Sequence, residues 1–209
     1  MKMDVVGYFN KVAYKWDRMR KGYFGDELRE LLLQEIDGFP GLIVDIGCGT
    51  GFLTIELARN AGWVLGIDPT EKMMNEAKKN ASAAGVNNIT FIKAAMEEIP
   101  LLSDSADMIF ANMVLHHVGK PPTGLREVRR VLKPGGKLVL SDVEEHHKSW
   151  ARDEMADVWL GFGLDTIREW LGEAGFTEYE VSYSGFNARA VSRSGDICEP
   201  AIFIAKAIK

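Results

Sequence analysis

The residues with the most chemical content form one short run, Asp45-Ile46-Gly47-Cys48-Gly49-Thr50-Gly51, with a second acid, Asp68, 17 residues after Gly51. Glycines at alternate positions let backbone approach a ligand closely, and a helix starting there offers unpaired N–H groups. A dinucleotide fingerprint, Gly-x-Gly-x-x-Gly, needs its third glycine at position 52, which is Phe52. An acid beside the ligand disfavours a pyrophosphate and suits a cationic group. Phe52 and Asp45 therefore count against a nicotinamide-dependent dehydrogenase. A carboxylate closing the second strand, as Asp68 is expected to do, accepts hydrogen bonds from ribose hydroxyls in this topology. Cys48 reads as a small packing residue within the turn.

These groups need a sheet to position them. β-rich runs alternate with helical patterns, which predicts a βαβ architecture. Strands are expected at Leu42–Ile46, Trp63–Asp68, Ile89–Ile92, Met108–Ala111 and Lys137–Ser141. The first is apolar almost throughout, as in a parallel sheet buried on both faces. Helices are expected from about Gly51 to Asn60, from a Thr70 cap onward, and from Pro121-Pro122 to Leu132. A further helix at roughly 163–174 ends at Gly175, and final strands fit Tyr179–Tyr183 and Ala201–Ala205 around a hairpin-like excursion from Gly185 to Pro200. Upstream, Val5–Arg18 and Asp26–Ile36 read as amphipathic helices.

The chain reads as one domain of 209 residues, and its 21 glycines are informative by position rather than number. Two cysteines, Cys48 and Cys198, exclude a disulfide scaffold and a four-cysteine zinc site, and point to a reducing, cytoplasmic setting. The net charge is −5 and no long Lys/Arg run occurs, which argues against a nucleic-acid partner. No apolar run is long enough to span a membrane. Met1-Lys2-Met3-Asp4 leads into an amphipathic segment and not a signal-peptide core.

Several spaced segments in order carry a family resemblance: the glycine turn, Gly66-Ile67-Asp68-Pro69, Ala106–Asn112, Leu115-His116-His117-Val118 and Leu132–Leu138. From about Tyr8 to Lys206 the chain resembles class I S-adenosylmethionine-dependent methyltransferases of the methyltransferase type 11, or UbiE-like, group. The resemblance implies a Rossmann-like, doubly wound, mostly parallel seven-stranded sheet with helices on both faces and an antiparallel last strand. It implies S-adenosylmethionine as cofactor and S-adenosylhomocysteine as product. Asp45 would lie near the amino end of the cofactor's methionine part, the Gly47, Gly49, Thr50 and Gly51 backbone would pack against it, and Asp68 would hold the ribose. Pro69, Met73, Glu97 and Asn112 would complete the cleft. Ala95 sits where relatives often carry Asp, so adenine recognition is expected from backbone groups and from stacking by Met96.

Methyl transfer from a sulfonium is an in-line displacement, so the protein mainly aligns the acceptor. A base is needed where the acceptor must lose a proton. His117 and His146 are the candidates for base or orienter, with a helix-start role open for His116 and His117. Residues 1–38 resemble the helical lid of small-molecule methyltransferases, with Tyr14 and Trp16 as contacts. Residues 143–162 read as an acceptor-side insertion and resemble a segment of methyltransferases sometimes fused to ArsR-type regulators. On a helix there, His146, Trp150 and Asp153 would share a face that could form an acceptor wall, or His146 could pair with a carboxylate; Trp150, and His116 after the fourth strand, are the substrate-side candidates. Glu144, His146 and His147 match no standard zinc spacing, and no metal is expected. The expected activity is methyl transfer to a small molecule, by a monomer or homodimer. The alternatives are an RNA or protein acceptor, or a non-catalytic S-adenosylmethionine-binding protein.

Overall fold

The computed structural model describes residues 4–209; Met1–Met3, read as leading into the first helix, lie outside them. Seven strands form one sheet in the order β3 (Ile89–Ile92), β2 (Trp63–Ile67), β1 (Leu42–Ile46), β4 (Ala106–Asn112), β5 (Leu132–Val143), β9 (Ala201–Ile208), β6 (Glu178–Asn187). β1 pairs in parallel with β2 and β4, and β9 runs antiparallel to both β5 and β6. The mostly parallel sheet with an antiparallel last strand is as the sequence implied. A small hairpin, β7 (Ala190–Val191) and β8 (Ile197–Cys198), fills the expected excursion.

Successive side chains of a strand point to opposite faces, and both faces are covered. Val44, Ile46, Ile109 and Leu140 pack with Leu125 and Val128 of α6 (Pro121–Val131) and with Ile167 and Leu171 of α8 (Leu164–Ala174). Ile43, Val64, Phe110 and Val139 pack with Leu28 and Leu32 of α3 (Asp26–Leu33) and Leu57 of α4 (Thr54–Leu57). Met73 of α5 (Glu71–Ala83) meets Val12 and Ala13 at the chain's start.

Four local expectations are corrected. The Val5–Arg18 helix is broken into α1 (Val5–Val12), a 3-10 turn (Ala13–Lys15) and α2 (Trp16–Tyr23). The helix expected over 51–60 shrinks to α4, because the glycine turn still occupies its first residues. Thr70 stands at the start of α5 without a capping bond from its side chain; Asp68 Oδ1 accepts from the Thr70 N–H at 2.7 Å instead. The Lys133–Gly136 turn is an outward bulge of β5 between the Ala106 and Met108 pairings, with Gly135 at φ 78°. Among the described residues no helix is long and apolar enough to cross a membrane.

Candidate functional site

Strand order reverses about the β1–β4 pair, so a crevice opens beyond their C-terminal ends, where open α/β sheets bind ligands. A cavity of about 260 Å³ lies there, close to the lower limit of about 300 Å³ common for small-molecule sites. The glycine turn forms its floor. Gly47 has φ 69°, and a Cβ there would lie 2.3 Å from Val114 Cγ2. Gly49 has φ 52° and sits beneath the Trp16 indole. Both conformations favour glycine. Gly51 differs from expectation: it faces Ile55 and Ala77 and is not part of the cavity wall. The other cofactor-side candidates, namely Asp45, Thr50, Asp68, Pro69, Met73, Ala95, Met96, Glu97 and Asn112, all line the cavity.

The polar groups there are held before any ligand arrives. Asp45 is 2% exposed and accepts from the Thr54 hydroxyl at 2.6 Å. Burial pushes its carboxyl up to about 7, with the Thr54 hydrogen bond opposing and the Asp68 charge adding to the rise. Asp68 accepts from the Gly49 N–H at 3.0 Å, which ties the turn to the end of β2, and burial raises its carboxyl too. Asn112 accepts from the Ser141 hydroxyl at 2.8 Å. The Thr50 hydroxyl donates to Asp17 of α2 at 2.5 Å, so it fastens α2 to the glycine turn rather than facing the cavity as a free group. Asn80 donates to Asp17 and to the Thr50 carbonyl, closing that latch.

Sequence reasoning missed Arg20. It lines the cavity, lies over the Phe52 ring with its guanidinium carbon 3.7 Å from the centroid, and is buried. Its other nitrogens bind the Phe24 carbonyl and Asp26, while Nε has no partner among the described residues. A lone arginine on a helix carries no sequence signal that marks it as buried.

A second cavity, about 70 Å³, adjoins the first, and Trp16, Phe24, Met113 and His117 line both. Its wall includes the candidates His116, His146 and Trp150, together with Tyr8, Tyr23 and Asp157. His116 Nδ1 donates to Asp142 Oδ1 at 2.7 Å. Burial works to lower its pKa, and the Asp142 charge and hydrogen bond, aided by Asp157, outweigh burial and raise it to about 9. His117 Nδ1 lies 3.1 Å from the Ala156 carbonyl. Since a carbonyl only accepts, the ring hydrogen sits on Nδ1 and Nε2 keeps a lone pair. Burial, then the His116 charge, hold its pKa well below 6.5, so it is neutral near pH 7.

His146 is half-buried, and its Nδ1 accepts from the Lys148 N–H at 3.3 Å. Burial, then the charges of His116, His147 and Lys148, lower its pKa. The shared helical face of His146, Trp150 and Asp153 is not formed. The helix α7 (Trp150–Met155) starts after His146, and Asp153 is exposed. Trp150 instead donates from Nε1 to Asp196 at 2.9 Å, which ties α7 to the β7–β8 hairpin. Tyr14 is also corrected: it is 76% exposed and lines neither cavity. The inward stripe of the first helices runs through Phe9, Val12, Ala13 and Trp16, and position 14 falls on the opposite side. Tyr8 and Phe9 take the inward places, with Phe9 edge-on to His117 at 4.9 Å.

The methyltransferase-domain family matches residues 42–175. The chain is 31% identical over 166 residues to a tRNA U34 carboxymethyltransferase of Hahella chejuensis, covering 74% of this chain and 50% of that one. It is 30% identical over 151 residues to a ubiquinone biosynthesis O-methyltransferase of Paracidovorax citrulli, covering 68% and 62%. The chain spans from 27% to 62% of the length of such curated relatives. In fold it is similar to a phosphoethanolamine N-methyltransferase 2 of Haemonchus contortus, with TM-score 0.78 and 17% identity over 99% of this chain and 59% of that one. That enzyme is solved with S-adenosylhomocysteine and with S-adenosylmethionine. The donor set here fits such a cofactor: a buried carboxyl and an unpartnered guanidinium N–H suit the two charged groups of its amino-acid end, and Asp68 is an acceptor for hydroxyls. The chain belongs to the methyltransferase-domain family, within the class I S-adenosylmethionine-dependent group.

Proposed function

We propose that the enzyme methylates a small molecule held in the 70 Å³ cavity, and that His117 stands between cofactor and acceptor. The observation carrying this reading is the junction: Trp16, Phe24, Met113 and His117 line both cavities, so a group in one lies beside a group in the other. When bound, S-adenosylmethionine supplies an electrophilic methyl group on a sulfonium. Asp45 and Arg20 Nε hold the charged amino-acid end, Asp68 the ribose, and Met96 with the Ala95–Glu97 backbone the adenine. Residues 1–38 act as a lid that excludes water, latched by Thr50, Asp17 and Asn80. The 143–162 segment shapes the acceptor wall through His146 and Trp150. His117 Nε2, with its free lone pair, orients the acceptor or takes its proton, and His146, whose Nδ1 is already engaged, orients through Nε2–H. A cytoplasmic setting fits two buried cysteines that are both unpaired.

Titration calorimetry with S-adenosylmethionine and S-adenosylhomocysteine tests the cofactor half. Asp68→Ala is expected to weaken binding by about 1–3 kcal/mol, the range for hydrogen bonds to a charged group. Unchanged affinity removes Asp68 from the ribose. Methyl release with a panel of phenols, thiols and amines tests the acceptor half. Turnover with tRNA and with no small molecule would favour instead the RNA acceptor named for the Hahella relative.

A further inference from the structure

His116, His117 and Asp157 each offer a ligand atom, and the three atoms lie within 4.8 Å of one another at the wall of the acceptor cavity. His116 Nε2 is 3.9 Å from Asp157 Oδ1, and His117 Nδ1 is also 3.9 Å from it. Neither distance is a hydrogen bond, yet both are within reach of one ion, since two bonds of about 2.1 Å span up to about 4.2 Å. Asp157 is 5% exposed, and its Oδ1 has no hydrogen-bond partner among the described residues. A buried carboxylate oxygen left unpaired costs free energy unless something cationic meets it.

The Asp142–His116 pair is arranged as a ligating histidine and its supporting carboxylate would be. Asp142 Oδ1 takes the hydrogen of His116 Nδ1 at 2.7 Å, and Oδ2 takes the His116 backbone N–H at 3.2 Å, so the imidazole is fixed with Nε2 toward Asp157. His117 Nδ1 is the nitrogen nearer Asp157 and in the metal-free state gives its hydrogen to the Ala156 carbonyl, so on binding that hydrogen moves to Nε2, which orients the acceptor, and Nδ1 turns its lone pair to the ion. Ligating histidines are held as His116 is, by a carboxylate or carbonyl on the far nitrogen. In the metal-free site the cationic His116 lies between the two carboxylates; a divalent ion takes the place of its Nε2 proton, and two carboxylates against two neutral imidazoles then leave a charge that the ion balances. Ala156, at φ 64°, is the turn that brings Asp157 back toward the histidines.

We propose that His116, His117 and Asp157 bind one divalent transition-metal ion, held in place through Asp142, whose open coordination position faces the acceptor cavity. This rests on reading that cavity as the acceptor site, and it departs from the absence of a metal expected from sequence. Two imidazoles and one carboxylate with an open position suit zinc and its first-row neighbours. The acceptor class is then a small molecule with an ionisable hydroxyl or thiol. Coordination lowers the pKa of that group, and its proton leaves to water. The freed oxygen or sulfur lone pair forms the new bond to the methyl carbon, and the carbon–sulfonium bond breaks with its electron pair staying on the cofactor's sulfur.

The test uses the full chain, stripped with chelator and titrated with Zn²⁺ by calorimetry and with Co²⁺ by visible absorption. One ion per chain is expected. Asp157→Asn and His116→Asn should each weaken binding by at least tenfold, and Asp142→Asn, acting through His116, by about 10–100-fold. His147→Ala, at an exposed histidine, should leave affinity unchanged. Thermal melts and S-adenosylhomocysteine binding establish that each variant is folded. No binding of either ion by the wild type, or equal affinity in the wild type and folded Asp157→Asn, overturns the site. If the metal-free wild type binds S-adenosylhomocysteine and no metal, the metal proposal fails alone. If S-adenosylhomocysteine does not bind either, the cofactor assignment fails with it.

Discussion

The two cavities meet at His117 and are built in opposite ways. The larger is floored by backbone: the turn after β1, the end of β2 and the segment after β3 bring main chain to its surface, with Asp45, Asp68, Arg20 and Trp16 set around that floor. The smaller is walled by side chains from α1, α2, the turn after β4, residues 143–157 and the β7–β8 hairpin. A backbone floor tolerates little substitution, because its shape is the chain path itself. A side-chain wall can be re-lined residue by residue while the scaffold stays fixed. Under the proposed function, this division lets one kind of cofactor floor serve different acceptors.

The largest effect should come from breaking the backbone floor. Gly47→Ala puts a side chain at φ 69° and a Cβ 2.3 Å from Val114 Cγ2. Backbone strain of about 1–3 kcal/mol and overpacking of about 1–3 kcal/mol should together lower stability markedly and abolish S-adenosylhomocysteine binding. Urea unfolding and calorimetry measure both. A variant that melts and binds like the wild type would show that the floor is pliant and the contrast false.

The next effect is a titration confined to the larger cavity. Asp45 has its folded pKa raised from 3.8 to about 7. A raised carboxyl stabilises the folded state fully below the unfolded value, and this stability is lost as pH rises from about 4 to about 7. The loss should approach about 1.4 kcal/mol per pH unit. Asp45→Asn removes this slope, which the difference between the two proteins' stability curves will read. Cofactor binding should run the other way. The cofactor's ammonium needs the ionised carboxylate, so affinity should weaken as pH falls below about 7, by up to about tenfold per unit. A flat wild-type affinity between pH 5 and 8 would detach Asp45 from the cationic group.

What could be read in the sequence follows the same division. Asp45, Gly47, Gly49 and Asp68 were legible because their spacing is a local property of one βα turn and the next strand end. The sheet was legible because β1, β4 and β5 are apolar runs bounded by glycine and proline. Asp142 and Asp157 were not assigned. One closes a strand whose partner, His116, is 26 residues away. The other arrives through a single left-handed residue, Ala156, that no periodicity marks. A helical face shared by His146, Trp150 and Asp153 does not form, because the backbone N–H groups of residues 144–146 are engaged by Ala201, Phe162 and Leu160. Tertiary pairing prevailed over local pattern, and this part of the smaller cavity's wall depends on such pairings.

The smallest effect sharpens the contrast at a single pair of aromatic residues. Tyr14 and Trp16 are two positions apart and looked equivalent in the lid. A helix turns about 100° per residue, so two positions swing a side chain to the far side. Trp16 consequently lines both cavities, while Tyr14 faces solvent with the Lys15 ammonium 6.0 Å from its ring centroid. Tyr14→Ala should change stability by no more than about 0.5 kcal/mol, as at other exposed surface sites, and leave S-adenosylhomocysteine affinity unchanged. A tenfold loss of affinity would mean that the bound lid rotates α1 and α2 enough to bring Tyr14 inward. The acceptor wall would then be a surface completed by the ligand and not one preformed by packing.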